Sequence, residues 1–303
     1  MSRLRASIDL GTNTARLLIG TVTDGKIERH HISRRITRLG GDFSKDTGIS
    51  QEAALRSIAA LKEFAAIITE FKVTEIRAVA TSAVRDAVNR DQFCRDVRSD
   101  TGIRFEVISG EEEARLTLSG VISGLDVVTD TMLVFDIGGG STEYTLAASD
   151  RIIFTRSLPL GVVRLTEGKG SADAITEKIE RELSLLLTEM NAAGITSLVK
   201  DSTLIATAGT ATTLAAIDIG LADYDYSKVN NHTLDIVRIR DIFYRLTPLS
   251  PSERLQKIIG LEAGREDLII AGILLTLKSM ELVGSKSLKV SDFGLLEGAL
   301  LSS

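Results

Sequence analysis

The chain reads as a duplicated α/β fold, and three observations carry that reading. An Asp–Gly motif occurs twice, as Ser7-Ile8-Asp9-Leu10-Gly11-Thr12-Asn13-Thr14 and as Val134-Phe135-Asp136-Ile137-Gly138-Gly139-Gly140-Ser141-Thr142-Glu143. Each copy is an apolar run of buried-strand length, an Asp, a turn of Gly and hydroxyl residues, and a second apolar run. The order of elements after each copy also repeats: three strands, then helices alternating with strands. Finally, 303 residues, 44% of them hydrophobic and 25% charged, suit a globular chain of about two domains, each able to build a core.

Taken in order, the pattern predicts strands over 7–10 and 15–22, a hairpin turn at Asp24-Gly25 and a third strand from 26 to about 36. Ser50 caps a helix to about 71, whose apolar residues Leu55, Ile58, Leu61, Ala65 and Ile68 recur at helical spacing. A strand over 75–80, a helix over about 87–99, a strand over 105–108 and a helix from 110 to about 121 complete the first half. The second half opens alike, with strands over 132–136 and 143–147, a turn at Ser149-Asp150 and a strand over 151–157. A helix from about 172 to 193 presents Ile175, Ile179, Leu183, Leu186 and Met190 on one face and ends at Gly194. A strand over 203–207 feeds Ala208-Gly209-Thr210-Ala211-Thr212-Thr213 and a helix. The remainder is mostly helical, with a strand over 288–290 and a last helix from 295. The boundary falls between 123 and 130, so the expected domains are 1–125 and 126–303, the last helix being able to pack back on the first.

Composition narrows the function. A net charge of −5 at pH 7 offers no basic stripe, so no nucleic-acid partner is expected and any polyanion site has to be locally basic. The longest apolar stretch, 268–277, is too short to span a bilayer, and the first strand starts too near the N-terminus to leave room for a signal peptide. With a single cysteine, Cys94, there is no intrachain disulfide framework. These points predict a cytoplasmic protein without a membrane partner, and Cys94 is read as a small packing residue. Three His residues, His30, His31 and His232, are thin material for a His-rich metal site or a Ser–His–Asp triad. An enzyme of this composition has to work with carboxylates and a metal.

The motifs fit that chemistry. Gly138, Gly139 and Gly140 let backbone approach an anion and present N–H groups to it, and Ser141 and Thr142 add hydroxyls. Asp136 and Glu143, at the end of one strand and the start of the next, can face one Mg²⁺ whose other ligands are waters. In the first copy Thr12, Asn13 and Thr14 offer donors to phosphate oxygens, and Asp9 can face the same metal through water. For either copy alone, a plain hairpin whose turn residues satisfy their own backbone is the competing reading; the pairing of copies weighs against it. In Ser109-Gly110-Glu111-Glu112-Glu113-Ala114-Arg115, Ser109 and Glu112 have capping-box spacing, and acidic residues suit a first helical turn regardless of function. The functional reading has Glu113 accept a proton from a water attacking phosphorus. Arg85, in Thr81-Ser82-Ala83-Val84-Arg85-Asp86, can make bidentate contacts to phosphate, or sit on the surface beside a carboxylate. Arg34, Arg35 and Arg38 are further cations that can meet a polyanion or simply line a solvated strand edge.

Together these segments resemble the exopolyphosphatase/guanosine pentaphosphate phosphatase family of the sugar kinase–Hsp70–actin superfamily. The likeness runs through residues 9–14, Thr81 to Asn89 (T-x-A-x-R-x-A-x-N in the family), Ile108 to Leu116, Phe135 to Glu143, Leu158-Pro159-Leu160-Gly161-Val162-Val163-Arg164, and Ser291-Asp292-Phe293-Gly294-Leu295-Leu296-Glu297-Gly298. It departs at Ala208, where Gly is usual, and at Leu296, where Arg is usual, and the sequence stops where longer members add a helical C-terminal domain. The resemblance implies two actin-like, ribonuclease H-like domains with mixed five-stranded sheets flanked by helices, and an active site in the cleft between them. It implies a Mg²⁺- or other divalent-cation-dependent hydrolase releasing terminal orthophosphate, with polyphosphate as first-choice substrate and guanosine pentaphosphate as the alternative. Glu113 is then the catalytic base. Asp136, Glu143 and Asp9 are the metal residues, and Thr12, Asn13, Thr14, Arg85, Gly138, Gly139, Gly140 and Ser141 bind phosphate. A homodimer is left open. So are two other classes on this fold: a small-molecule kinase or ATP-driven switch, which needs a nucleotide pocket, and a non-catalytic sensor of phosphorylated alarmones.

Overall fold

The structure, a computed structural model, describes residues 3–302 apart from 42, 44, 45, 150, 169 and 170. The chain divides into two compact units, Met1–Ser123 with Phe293–Ser303, and Gly124–Asp292.

The first unit begins with β1 (Arg5–Leu10), β2 (Thr14–Thr23) and β3 (Lys26–Ile36), followed by α1 (Gln51–Glu70) and β4 (Glu75–Ala80). Next come α2 (Ser82–Arg85), α3 (Arg90–Thr101), β5 (Phe105–Val107) and α4 (Gly110–Gly124). The sheet order is β3-β2-β1-β4-β5, antiparallel from β3 to β1 and parallel from β1 to β5. β1 is buried on both faces, its apolar residues Ala6, Ile8 and Leu10 alternating with the buried polar residues Ser7 and Asp9. β3, at the edge, alternates between solvent and sheet. The Ser50 hydroxyl accepts from Ala53 N at 3.2 Å and caps α1 as expected. The buried stripe of that helix is Ala53, Ile58, Leu61, Phe64 and Ile68. Leu55, expected on it, is 60% exposed, because the helix is rotated to bring Phe64 inward. Cys94 is half-buried on α3, packed at the edge of the core, and burial pushes its thiol up.

The second unit contains β6 (Thr131–Ile137), β7 (Thr142–Ala148), β8 (Arg151–Leu158), α5 (Val162–Gly168), α6 (Ala172–Ala192) and α7 (Thr196–Lys200). It continues with β9 (Thr203–Thr207), α8 (Ala208–Ile219), α9 (Tyr226–Val229), β10 (Thr233–Asp235), α10 (Ile236–Leu246), α11 (Pro251–Lys257), α12 (Ile269–Val283) and β11 (Ser287–Ser291). The last helix, α13 (Leu295–Leu301), belongs to the first unit. The turn expected at Ser149-Asp150 includes Asp150, which lies outside the described residues. On α6 the expected face, Ile175 to Met190, is buried, and Gly194 takes φ 69° just past the helix end.

The duplication is structural. Strands β8-β7-β6-β9-β11 repeat β3-β2-β1-β4-β5 in order and in sense. Even the bulge repeats: the register shifts at Ile19/Gly20 in β2 and at Leu146/Ala147 in β7, ten residues after the Asp in each copy. Both units are thus actin-like α/β layers, with one difference from the five-stranded expectation. The second sheet carries a sixth strand, β10, antiparallel to β11. Three residues are too few to show alternation in sequence, so this strand is legible only through its partner. Among the described residues no helix is long and apolar enough to cross a membrane.

Candidate functional site

In both units the Asp stands at the end of the first strand, and the chain turns back the same way. Gly11 N donates to Thr14 O at 2.9 Å, and Gly138 N donates to Ser141 O at 3.0 Å. The carbonyls of each turn are held from behind. Thr12 O accepts from Gly40 N at 2.8 Å, and Asn13 O accepts from Thr37 N at 3.0 Å and Arg38 N at 2.9 Å. In the second unit Gly138 O accepts from Val162 N at 3.0 Å, and Gly139 O accepts from Val163 N at 3.0 Å, at the start of α5. Carbonyls committed to such donors are not free to repel an anion, which leaves the turns suited to phosphate.

The support needs a glycine in each unit. A Cβ on Gly40 would lie 2.2 Å from Thr12 Cγ2, and one on Gly161 would lie 2.1 Å from Gly139 O. Gly161 lies in a recognised motif, but its role as a backing residue emerges only from this contact. Sequence reasoning misses Gly40; its place after the third strand, equivalent to that of Gly161, is the available signal.

The strand partners of the two Asp residues differ. Asp136 pairs with Glu143 across β6–β7, so two carboxylates lie on one face, with Cβ atoms about 5 Å apart by strand geometry. Glu143 also faces Ser157 on β8, whose hydroxyl donates to its Oε1 at 2.7 Å. In the first unit the corresponding partner of Asp9 is Arg16, whose Nε and Nη2 donate to Asp9 Oδ2 at 3.0 and 2.6 Å. Arg34 in turn stands opposite Arg16 on β3. Asp9 and Asp136 therefore occupy equivalent positions with opposite neighbours. No motif singles out Arg16 or Ser157, because cross-strand register is what gives them a role.

Glu113 is buried in the first turn of α4, and Arg85 Nη1 donates to its Oε2 at 2.9 Å and to Ile108 O at 3.1 Å. The structure thus joins two residues that belong to separate motifs, and the contact shown for Arg85 is with Glu113. Ser82, beside it, hydrogen-bonds through its hydroxyl to that of Thr12 at 3.0 Å. Thr81 N donates to Leu10 O at 3.3 Å, and Ile108 N to Ala80 O at 3.1 Å. These bonds stitch the carboxyl ends of β1, β4 and β5 together under Thr12, Asn13, Thr14, Arg85 and Glu113. The expected capping box is half formed: Ser109 Oγ accepts from Glu112 N at 3.2 Å, but the Glu112 carboxylate turns to Arg115 and Arg77. The hydrogen bonds from Arg115, and then Arg77, hold it below the usual carboxylate range.

A cation fits the donors present. Asp9 Oδ1 is buried without a hydrogen-bond partner, and in the other unit the Asp136–Glu143 pair presents like charges side by side. Among the described residues no three His, Cys, Asp or Glu side chains gather as a metal cluster. A pair of carboxylates can hold a divalent cation whose remaining ligands are waters.

The third small-residue turn, between β9 and α8, holds Ala208 at φ 67°. The Cβ of an L-residue is strained there, which explains why Gly is usual. Relief of about 1–2 kcal/mol of strain, less roughly 0.5 kcal/mol for the freer unfolded Gly, makes Ala208→Gly stabilising by about 1 kcal/mol. Urea unfolding checks it; an unchanged or lower midpoint would mean that Ala208 is unstrained. Next to it Gly209 lies against the guanidinium of Arg265, which would have to shift to admit a Cβ. Tyr224 donates to Asp292 Oδ2 nearby in this unit, and burial, then the Asp292 and Glu262 carboxylates, push its hydroxyl up.

Comparison with known proteins bears out the family resemblance seen in the sequence. A profile of the Ppx/GppA phosphatase family matches residues 18–303. Exopolyphosphatase 2 of Mycobacterium tuberculosis is 33% identical over 98% of the chain and 97% of its own length. The bifunctional 3-dehydroquinate synthase/phosphatase of Fusobacterium nucleatum is 35% identical over 98% of the chain, which spans 46% of that longer protein. The crystal structure of the Aquifex aeolicus Ppx/GppA family member superposes with a TM-score of 0.80 at 35% identity, covering 100% of this chain and 97% of that one.

Proposed function

The chain belongs to the Ppx/GppA phosphatase family, and from that premise we propose that it is a divalent-cation-dependent phosphoanhydride hydrolase releasing terminal orthophosphate from inorganic polyphosphate, in the cytoplasm. The observation that carries the proposal is the register that sets Asp136 opposite Glu143 beside the Gly138–Ser141 turn. Directly opposed carboxylates are unfavourable without a cation, and next to a turn built to accept phosphate they favour a metal–phosphate substrate.

Asp136 and Glu143 would hold the cation, with Asp9 assisting, and Ser157, whose hydroxyl donates to Glu143 Oε1, aims Glu143. When bound, the cation neutralises charge on the phosphate oxygens as they pass through the transition state. The Gly138–Ser141 backbone and the Thr12, Asn13 and Thr14 side chains seat phosphate oxygens. Arg85 orients Glu113, and Glu113 takes the proton of the attacking water. The oxygen of that water bonds to the terminal phosphorus, and the shortened chain leaves with the electrons of the broken P–O bond. Phosphoryl transfer asks mainly for positioning and charge neutralisation, which these residues can supply.

Phosphate release from polyphosphate, guanosine pentaphosphate and ATP, assayed in parallel with and without Mg²⁺, tests the proposal. Polyphosphate should be hydrolysed fastest and only with the cation. A preference for guanosine pentaphosphate would reassign the substrate, and hydrolysis of none would end the enzyme reading. Metal binding is separable from turnover. Chelation should stop hydrolysis reversibly, and direct Mn²⁺ binding, followed by electron spin resonance, should weaken about 100-fold in Glu143→Gln and about 10-fold in Ser157→Ala. Unchanged Mn²⁺ affinity in both variants would remove the Asp136–Glu143 pair as the cation site.

A further inference from the structure

We propose that Arg56 is a positioning residue for substrate binding: from α1 it braces the segment 37–41, which in turn holds the Thr12–Thr14 phosphate turn in shape. The inference rests on the preceding functional reading and deepens it, by naming the residue on which the grip of the first turn depends.

The two copies of the motif are backed differently. In the second unit the donors behind the turn are Val162 N, Val163 N and, at 3.3 Å, Arg164 N, all from the first turn of the helix α5. Helical geometry fixes their spacing, and first-turn N–H groups have no partner within their own helix. In the first unit the donors are Thr37 N, Arg38 N and Gly40 N, from irregular chain after β3. Arg38 there has φ 45°, in the left-handed region that an L-residue disfavours, and Leu39, between the donors, is fully buried. A strained conformation persists only where its surroundings over-determine it. This segment therefore requires a brace that a helix does not.

Arg56 supplies it. Its Nε donates to Thr37 O at 3.1 Å and its Nη2 to Arg38 O at 3.5 Å. Glu52, one helical turn earlier, accepts from Nη1 at 2.7 Å and fixes the guanidinium. Gly41 N also donates to Arg38 O, at 2.9 Å, which closes the segment on itself. Thr37 O and Arg38 N belong to one peptide group. A charged donor on its oxygen polarises the N–H on its other side, and that N–H donates to Asn13 O at 2.9 Å. A turn carbonyl held this way stays directed away from an incoming anion. The helix that carries Arg56 is itself pinned near its start. Asn89 Oδ1 accepts from Ile49 N and Asn89 Nδ2 donates to Ile49 O, both at 2.9 Å, one residue before the Ser50 cap. Asn89 ends the motif that carries Arg85, so this clamp keys α1 to the same motif. Lys62, also on α1, pairs with Asp100 on α3 at 2.7 Å, with both side chains exposed, and provides a control.

The test measures steady-state phosphate release from polyphosphate, equilibrium binding of tripolyphosphate and amide hydrogen exchange at Thr37, Arg38 and Gly40, in wild type, Arg56→Ala, Arg56→Lys and Lys62→Ala. Arg56→Ala should raise KM and weaken tripolyphosphate binding about tenfold, the weight of one charge-assisted hydrogen bond, while kcat stays within about threefold. Exchange at the three amides should quicken in the same variant. Arg56→Lys, which keeps a charged donor for Thr37 O, should recover part of both losses, and Lys62→Ala should match wild type. Unchanged binding in Arg56→Ala would overturn the proposal even if exchange quickens, and so would a fall in kcat as large as the rise in KM, which marks general loss of structure. Weaker binding with exchange unchanged would overturn it too, by placing Arg56 on the substrate itself. If wild type neither binds tripolyphosphate nor releases phosphate, the functional reading falls and this inference with it. If wild type does both and Arg56→Ala binds as tightly, only Arg56 falls.

Discussion

Glu113→Gln is expected to lower turnover by roughly 10²–10⁴-fold, the usual contribution of a positioned general base, while fold and phosphate binding remain. The geometry makes this substitution informative. Arg85 Nη1 lies 2.9 Å from Glu113 Oε2, and the amide oxygen of Gln can accept the same hydrogen bond, so the arginine need not move. What Gln lacks is a site to receive the proton of the attacking water. Glu113→Ala would be less clean, because it removes the partner of a half-buried guanidinium as well as the base. Steady-state phosphate release and equilibrium binding of tripolyphosphate should be measured on the same Glu113→Gln preparation. Turnover within tenfold of wild type would remove Glu113 as the base. A matching loss of binding would show that it holds substrate instead.

Glu297→Ala should destabilise the first unit by about 3–5 kcal/mol, the cost of removing one partner from a buried ion pair. Arg29 Nη2 meets Glu297 Oε1 at 2.8 Å, with the two side chains 4% and 3% exposed. The other carboxylate oxygen accepts from Gly294 N at 2.8 Å and caps α13, and the Arg29 guanidinium lies over the Phe293 ring. The helix is held further by Ser7 Oγ, which donates to Leu296 O at 2.7 Å, and by the approach of Gly298 to Leu116 O, where a Cβ would come within 1.8 Å. Leu296, standing where the family usually has Arg, is buried beside Leu18 and Leu300 and joins this apolar seat. Glu297→Gln keeps the capping bond and should lose less. Urea unfolding of both variants measures the difference; a loss below about 1 kcal/mol in Glu297→Ala would assign the seat to apolar packing alone.

Much of this arrangement is legible in the amino-acid sequence. Asp9 and Asp136 can be placed at strand ends because an apolar run followed by Gly and hydroxyl residues is a local signal. The faces of α6 and the cap at Ser50 are equally local. Leu55 falls off the buried stripe because residues at helical spacing define a stripe only to within one position, and Phe64 takes the inward place. Arg85 and Glu113 each stand out, but in separate motifs, since nothing in a sequence separation of 28 residues announces a hydrogen bond. Arg16 and Ser157 do not stand out, because an Arg or Ser in a strand carries no signal until its cross-strand partner is known.

The duplication, the strand–turn chemistry of both Asp motifs and the identity of the acidic and hydroxyl residues follow from the order of amino acids alone, because they depend on neighbours a few positions apart. What each charge faces is settled by tertiary pairing: Arg16 for Asp9, Glu143 for Asp136 and Arg85 for Glu113. For the two Asp residues the cause is strand register. A slip of one residue turns a strand side chain to the other face of its sheet, so two nearly identical motifs become a guanidinium–carboxylate pair in one unit and a cation-ready carboxylate pair in the other.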